Sequence, residues 1–508
     1  MWITTETSHA FDMRGTHVKH MGHQDLPRHP GRYERHHRGT CTRGTNNIRA
    51  LHLFDISPVF AGVPRYGSIM RSFSSASVLD DTGLTLELAP ALTPRGLTEV
   101  PAFFSGFAAQ PLVLARGLLV LADVAQTRYF QPAPVGMRDP ICTANGDRLR
   151  FEAFSACNTV GVRLDLLAAA FDGGEISHGT TNVDINQPLR ETLGQVSPSE
   201  LMHLAVGNDE LRVSTLDATH VERKVELPDR WLKALGSSQE LTRELELIGE
   251  APAVQTRQFL AALPSGTGRR GHWSISRMGV KPALRPGKGT VYAEGLNRLR
   301  AARRLGPQVT GMRVYGLPQA PMAASVWEFS LPHGRLTFTL TAEHYRGFSG
   351  EGALLTKLAA PTAVDDSALI SACLAFEPRI EIASLVAETG LDEERTGQGL
   401  AVLAGDGRVG FDLYEQAYFH RELPSDADRV IKDNPRLRHA KRLVTAGAVR
   451  PFDGHPGTFR VRGDHDEYIV RTGPPSCTCP WWRGHAGSRG VCKHILAVEL
   501  SRAPTEHC

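Results

Sequence analysis

The sequence predicts an α+β chain of several parts: an antiparallel-sheet-rich first region, a helical middle segment and a small ββα module at the C-terminus. Three observations carry this. Alternating polar and apolar stretches separated by turn residues recur through residues 72–355. From Asp365 the apolar period becomes helical. After Gly447 it returns to two alternating strands and then a single closing helix.

Taken in order, the first residues stand apart. His9, His17, His20, His23, His29, His36 and His37 crowd a stretch with little apolar periodicity. Residues 1–69 are therefore expected to be a disordered extension, with a histidine-rich metal-binding leader as the other reading and Met70 as the expected natural start. Protein-like text begins at Ser72-Phe73-Ser74 and the alternating Leu84 to Leu88. Leu112 to Ala125 has helical spacing, and Arg116 interrupts it, so it reads as a buried helix rather than a membrane span. Arg148 to Phe154 alternates as a half-buried strand should, after the turn Asn145-Gly146-Asp147. Leu201 to Val206, Leu211 to Leu216 and Val221 to Leu227 predict a three-stranded meander, and Val326 to Phe329 with Leu336 to Leu340 a hairpin.

In the middle, Asp366 to Ala375, Ile382 to Glu388 and Glu393 to Ala404 predict three helices. Gly390 closes the second and Asp392 caps the third. Arg408 to Phe411 and Ala417 to Arg421 then predict a hairpin, and three helices followed by a hairpin is the winged-helix order. Residues 361–424 are thus expected to be a winged-helix-like acidic domain. Residues 434–502 follow as the C-terminal domain, with a helix from Arg436 to Ala446, strands Thr458 to Arg462 and Glu467 to Arg471, and a final helix Lys493 to Leu500.

Composition is that of an ordinary globular chain, with 41% hydrophobic and 22% charged residues. No apolar run of 18 residues and no signal-peptide pattern is present, so a cytoplasmic location without membrane contact is expected. The net charge of +3 hides an asymmetry. Residues 361–424 hold four arginines and no lysine against twelve acids, whereas residues 434–508 hold twelve basic residues against six acids. Neighbouring segments so different should have different partners or attract one another.

The chemistry concentrates near the C-terminus. Cys477-x-Cys479 is followed after twelve residues by Cys492-x-His494. Three thiolates and an imidazole are the donor set of tetrahedral Zn²⁺, and four protein ligands leave no open position, which predicts one structural zinc. His485, His507 and Cys508 are the rival ligands. Enzyme motifs are near misses. Arg285 to Thr290 lacks the first glycine of a phosphate loop, and Glu351 stands where the nucleophile elbow Gly347 to Glu351 needs glycine. No catalytic residue and no small-molecule substrate is indicated, and an enzyme activity built from groups scattered through residues 72–355 is the remaining alternative.

Cys-x-Cys-x(12)-Cys-x-His within strand–strand–helix, with Pro480-Trp481-Trp482 after the first pair and Cys492-Lys493-His494-Ile495-Leu496-Ala497 at its end, resembles the SWIM zinc finger. The resemblance implies a ββα zinc module for DNA or protein. Gly117 to Asp123, Phe151 to Cys157 and Gly347 to Gly352 are similar to bacterial SWIM zinc-finger proteins, a likeness that runs roughly from Ser72 to Leu500. It implies a bacterial cytoplasmic protein, linked in some cases with MoxR-type ATPases and von Willebrand A-like partners, and no established reaction.

Two partner classes follow. If the C-terminal module binds nucleic acid, Arg460, Arg462, Arg471, Arg483, Arg489 and Lys493 are the candidate phosphate contacts, and Trp481 and Trp482 could stack on bases or pack as core. The third helix of the middle segment opens on Asp392-Glu393-Glu394, offset only by Arg395 and Gln398, and would repel phosphate. That segment is expected to bind protein, as an adaptor would, or to pack against the basic C-terminal domain.

Overall fold

The structure of the chain is a computed structural model. The structure describes residues 78–80, 83–85, 91–93, 96–98, 102–130, 140–225, 229–266, 268–348, 352, 354–374, 377–421, 423, 430, 434–463, 466–487 and 489–502. The expected extension, the Met70 start, the Ser72-Phe73-Ser74 stretch, Ser349 to Glu351 and the rival ligands His507 and Cys508 lie outside these residues.

An antiparallel sheet of eight strands organises the first region. In spatial order its strands are His178–Asn182, Ile141–Asn145, Arg148–Phe154, Val160–Leu167, Gly334–Leu340, Ser325–Leu331, Gly311–Gly316 and Glu246–Pro252. The predicted hairpin supplies its fifth and sixth strands, turning at His333 with φ +55°. Helix Pro111–Gln126 covers one face, and a Cβ on Gly117 would come within 2.5 Å of Leu164, so glycine lets the helix seat closely. The predicted meander also forms, as His203–Gly207, Glu210–Ser214 and Thr219–Arg223, extended by Ala102–Ala108 and Phe171–Asp172. The near-miss phosphate loop is the connection between strands Gly279–Ala283 and Thr290–Glu294, where Thr290 bonds back to Gly287.

One expectation is corrected here. Strand Arg148–Phe154 is buried along its whole length, not on alternate residues. Leu149, Phe151 and Ala153 enter the apolar core, while the other face is covered by helix Asp229–Arg243 and by the hairpin of the middle segment. Arg148, Arg150 and Glu152 are therefore enclosed, and each finds a charged partner across that interface.

In the middle segment the helices are Ala363–Cys373, Ile382–Thr389 and Glu393–Gly405, and the hairpin is Val409–Asp412 with Ala417–His420. The first begins three residues earlier than expected, which places Asp365 and Asp366 in its first turn, where the helix dipole favours acids. Gly390 closes the second at φ +71°, and the Asp392 side chain accepts from the Arg395 N–H at 2.8 Å. The expected packing on the basic C-terminal module is present, as apolar contact. Ala401, Val402, Leu437, Ala440 and Leu496 do share one apolar cluster. The charge attraction, however, runs to the large sheet, where Asp412 meets Arg150, Arg163 and Arg335 at 2.9–3.2 Å. Those arginines are dispersed in sequence, so a segment-by-segment charge count overlooks them.

Candidate metal centre

The C-terminal module adds to the predicted ββ pair. Its sheet runs Val449–Pro451, Thr458–Arg462, Glu467–Thr472, Pro475–Cys477, and a short helix Pro480–His485 precedes the last helix, Lys493–Arg502. Phe459, Val461, Tyr468 and Val470 point inward, as their period of two requires, and pack on Ile495 and Val498 of the last helix.

Cys477 ends the fourth strand opposite Val470, Cys479 caps the short helix, and Cys492 and His494 stand at the entry to the last helix. Three elements thus bring four ligands to one point. One ligand atom from each residue lies within 4.8 Å of all the others. Cys477 Sγ and His494 Nδ1 are 3.8 Å apart, against about 3.6 Å for the edge of a tetrahedron built from ordinary Zn–S and Zn–N bonds. All four residues are buried. The Cys479 N–H donates to Cys477 Sγ and the Trp482 N–H to Cys479 Sγ, both at 3.4 Å, which suits sulfurs that carry negative charge. Tyr468 lies against the His494 ring at 4.4 Å.

The thiols are not equivalent without metal. The hydrogen bond with Cys477 pushes Cys492 down to about 4, against burial and with help from His494 and the Ile495 N–H. The same bond, together with burial, pushes Cys477 up, and burial raises Cys479. The donor set fits Zn²⁺, and these four residues hold a structural zinc: with a closed shell it joins strand, short helix and final helix and offers no position for substrate. His485 stays outside the cluster, edge-on to Trp481 at 4.9 Å. Both tryptophans are half-buried against the cysteine-lined core, and the Arg436 guanidinium lies 4.8 Å over Trp481.

The six candidate phosphate contacts divide. Arg460, Arg462 and Arg471 are exposed on the outer face of the sheet, since their strand neighbours Val461 and Val470 face inward. Arg483 lies on the short helix, Arg489 in the turn after it and Lys493 at the first position of the last helix, away from that face. Arg450, which sequence reasoning missed, pairs with Arg460 in register and joins the face. Alternation around Val449 was its signal, but three residues are too few to announce a strand. On helix Pro435–Thr445, Arg438, Lys441 and Arg442 form a second exposed basic face.

Residues 459–503 match the family model of the SWIM zinc finger. No curated protein matches the chain. Among solved structures it is similar to the PCNA2–PCNA3 complex from Sulfolobus tokodaii at 10% identity, covering 47% of this chain and 99% of that one with a TM-score of 0.34. It is also similar to proliferating cellular nuclear antigen from Entamoeba histolytica at 12% identity, covering 48% and 100% with a TM-score of 0.31. A third is the A. fulgidus PCNA bound to the C-terminal region of FEN-1, at 12% identity, 47% and 98% coverage and a TM-score of 0.33. TM-scores this low fall short of a shared fold.

Proposed function

We propose that this chain, as the bearer of a SWIM zinc finger, is a non-enzymatic binding protein that engages nucleic acid through the outer face of the finger's sheet. The supporting observation is register. Pairing of Arg450 with Arg460 and of Arg471 with Thr458 gathers Arg450, Arg460, Arg462 and Arg471 from three strands onto one face. One acid, Glu467, shares it, 3.5 Å from Arg460. Phe452 and His455 stack at 4.6 Å beside it, with Arg460 4.3 Å over the Phe452 ring, and such planes accept bases. Zinc keeps the sheet and last helix together and does no chemistry.

Fluorescence anisotropy of the full chain with a labelled oligonucleotide tests this. Binding should weaken with salt, and Arg460→Glu with Arg462→Glu should weaken it at least tenfold while lowering the salt slope by about 2. Salt-insensitive binding, or none, removes the reading.

A second reading rests on the middle segment. Its three helices and hairpin follow the winged-helix order, and Asp365, Glu381, Glu388, Asp392, Glu393 and Glu394 are exposed. We propose that this winged-helix-like segment recruits a basic protein surface. If the sheet-face variants bind nucleic acid as the parent does, the adaptor role becomes the leading one.

A further inference from the structure

The first region carries a basic concavity that the zinc module does not explain. An open groove of about 920 Å³ lies between the C-terminal end of helix Pro111–Gln126 and the 3₁₀ run Leu296–Gln308. In a 3₁₀ run residues three apart eclipse, so the sequence sorts into columns. Leu296, Leu299, Ala302 and Leu305 form the buried column. Asn297, Arg300 and Arg303 form the next, rising about 6 Å per step, and all three line the groove. Arg304 and Arg128 line it as well.

The single carboxylate among the lining residues is Asp123, and its charge is already matched. Arg304 Nε donates to one oxygen at 2.5 Å and Arg190 Nη2 to the other at 2.6 Å. Arg300, Arg303 and Arg304 are exposed, so the wall is strongly positive and wet. Small-molecule pockets are mostly apolar and enclose their ligand. This surface is open, polar and regularly spaced, which suits a chain of repeated anions.

We infer that the groove binds the phosphodiester backbone of a single nucleic-acid strand, with Arg300 and Arg303 on successive phosphates. Arg304 keeps its bond to Asp123 and sets the edge of the track. None of the residues lining the groove belongs to the zinc module.

The test uses the full chain and a fluorescein-labelled single-stranded oligonucleotide. Arg300→Glu with Arg303→Glu should weaken binding at least tenfold, and the milder Arg300→Gln with Arg303→Gln should fall between it and the parent. Arg212→Glu, at an exposed pair with Glu210 elsewhere, should bind as the parent does. Thermal midpoints of all variants should agree, since the exchanged side chains are exposed. In the background of Arg460→Glu with Arg462→Glu, the groove variant should lower residual binding further. Unchanged binding by both groove variants overturns the inference and leaves the zinc-face reading standing. Displacement of the oligonucleotide by polyglutamate, or by millimolar inorganic phosphate, as readily as by unlabelled oligonucleotide also overturns it.

Discussion

Cys492 is the side chain through which the finger is most easily dismantled. It sits 2% exposed, bonded to Cys477 and to the first turn of the last helix, so one atom ties two ends of the module. Serine keeps the shape but gives zinc a much poorer donor. In Cys492→Ser, bound zinc should fall well below one per chain. The circular dichroism of the finger should be lost while the large sheet keeps its melting transition. Equal zinc in variant and parent would remove the metal site.

At the scale of elements, close packing decides which glycines are indispensable. Helix Glu393–Gly405 contains Gly397 and Gly399, either of which weakens a helix by about 1 kcal/mol relative to alanine. A Cβ on Gly399 would lie 2.7 Å from Ile370 Cδ1 and 3.0 Å from backbone atoms of Asp366 and Ser367, so the first and third helices touch there. A Cβ on Gly397 meets nothing nearer than Arg243 Nη1 at 3.8 Å. Gly399→Ala should therefore destabilise by about 1–3 kcal/mol, and Gly397→Ala should stabilise by up to about 1 kcal/mol. Denaturant midpoints of the pair check the opposite signs.

Across the whole molecule, the middle segment is fixed to the large sheet by buried charge. Burial alone would raise the pKa of Asp412, but Arg163, Arg150 and Arg335 outweigh it and hold the carboxyl well below the usual range. Its contribution is present above the unfolded value near 4 and is lost as pH falls. Glu328 behaves oppositely: burial pushes it up to about 7, with Arg335 4.0 Å away as a weak counterweight. Its contribution is full below the unfolded value and is lost as pH rises through 7. The parent should be most stable between those limits, and Glu328→Gln should raise the melting temperature at pH 8 while changing it little at pH 5. A uniform shift at both pH values would show that Glu328 is not titrating in this range.

The zinc site was legible because its four ligands fall within residues 477–494, and donor type and spacing state the chemistry directly. Helices and hairpins were legible wherever period and caps agreed, as at Asp392 and Gly390. The arginine-lined interface was not. Arg150 and Asp412 are 262 positions apart, and polar alternation in Arg148–Phe154 reads as a solvent-facing strand until another element covers it. The same holds for the sheet face of the finger, where Arg450 joins Arg460 only through register, and for the 3₁₀ column of Asn297, Arg300 and Arg303. By itself the sequence determined the metal, its ligands and the local elements, because those depend on neighbours along the chain. Only the tertiary structure decided which charges are buried against each other and which remain on a common surface, because strand pairing and packing join residues that no local pattern connects.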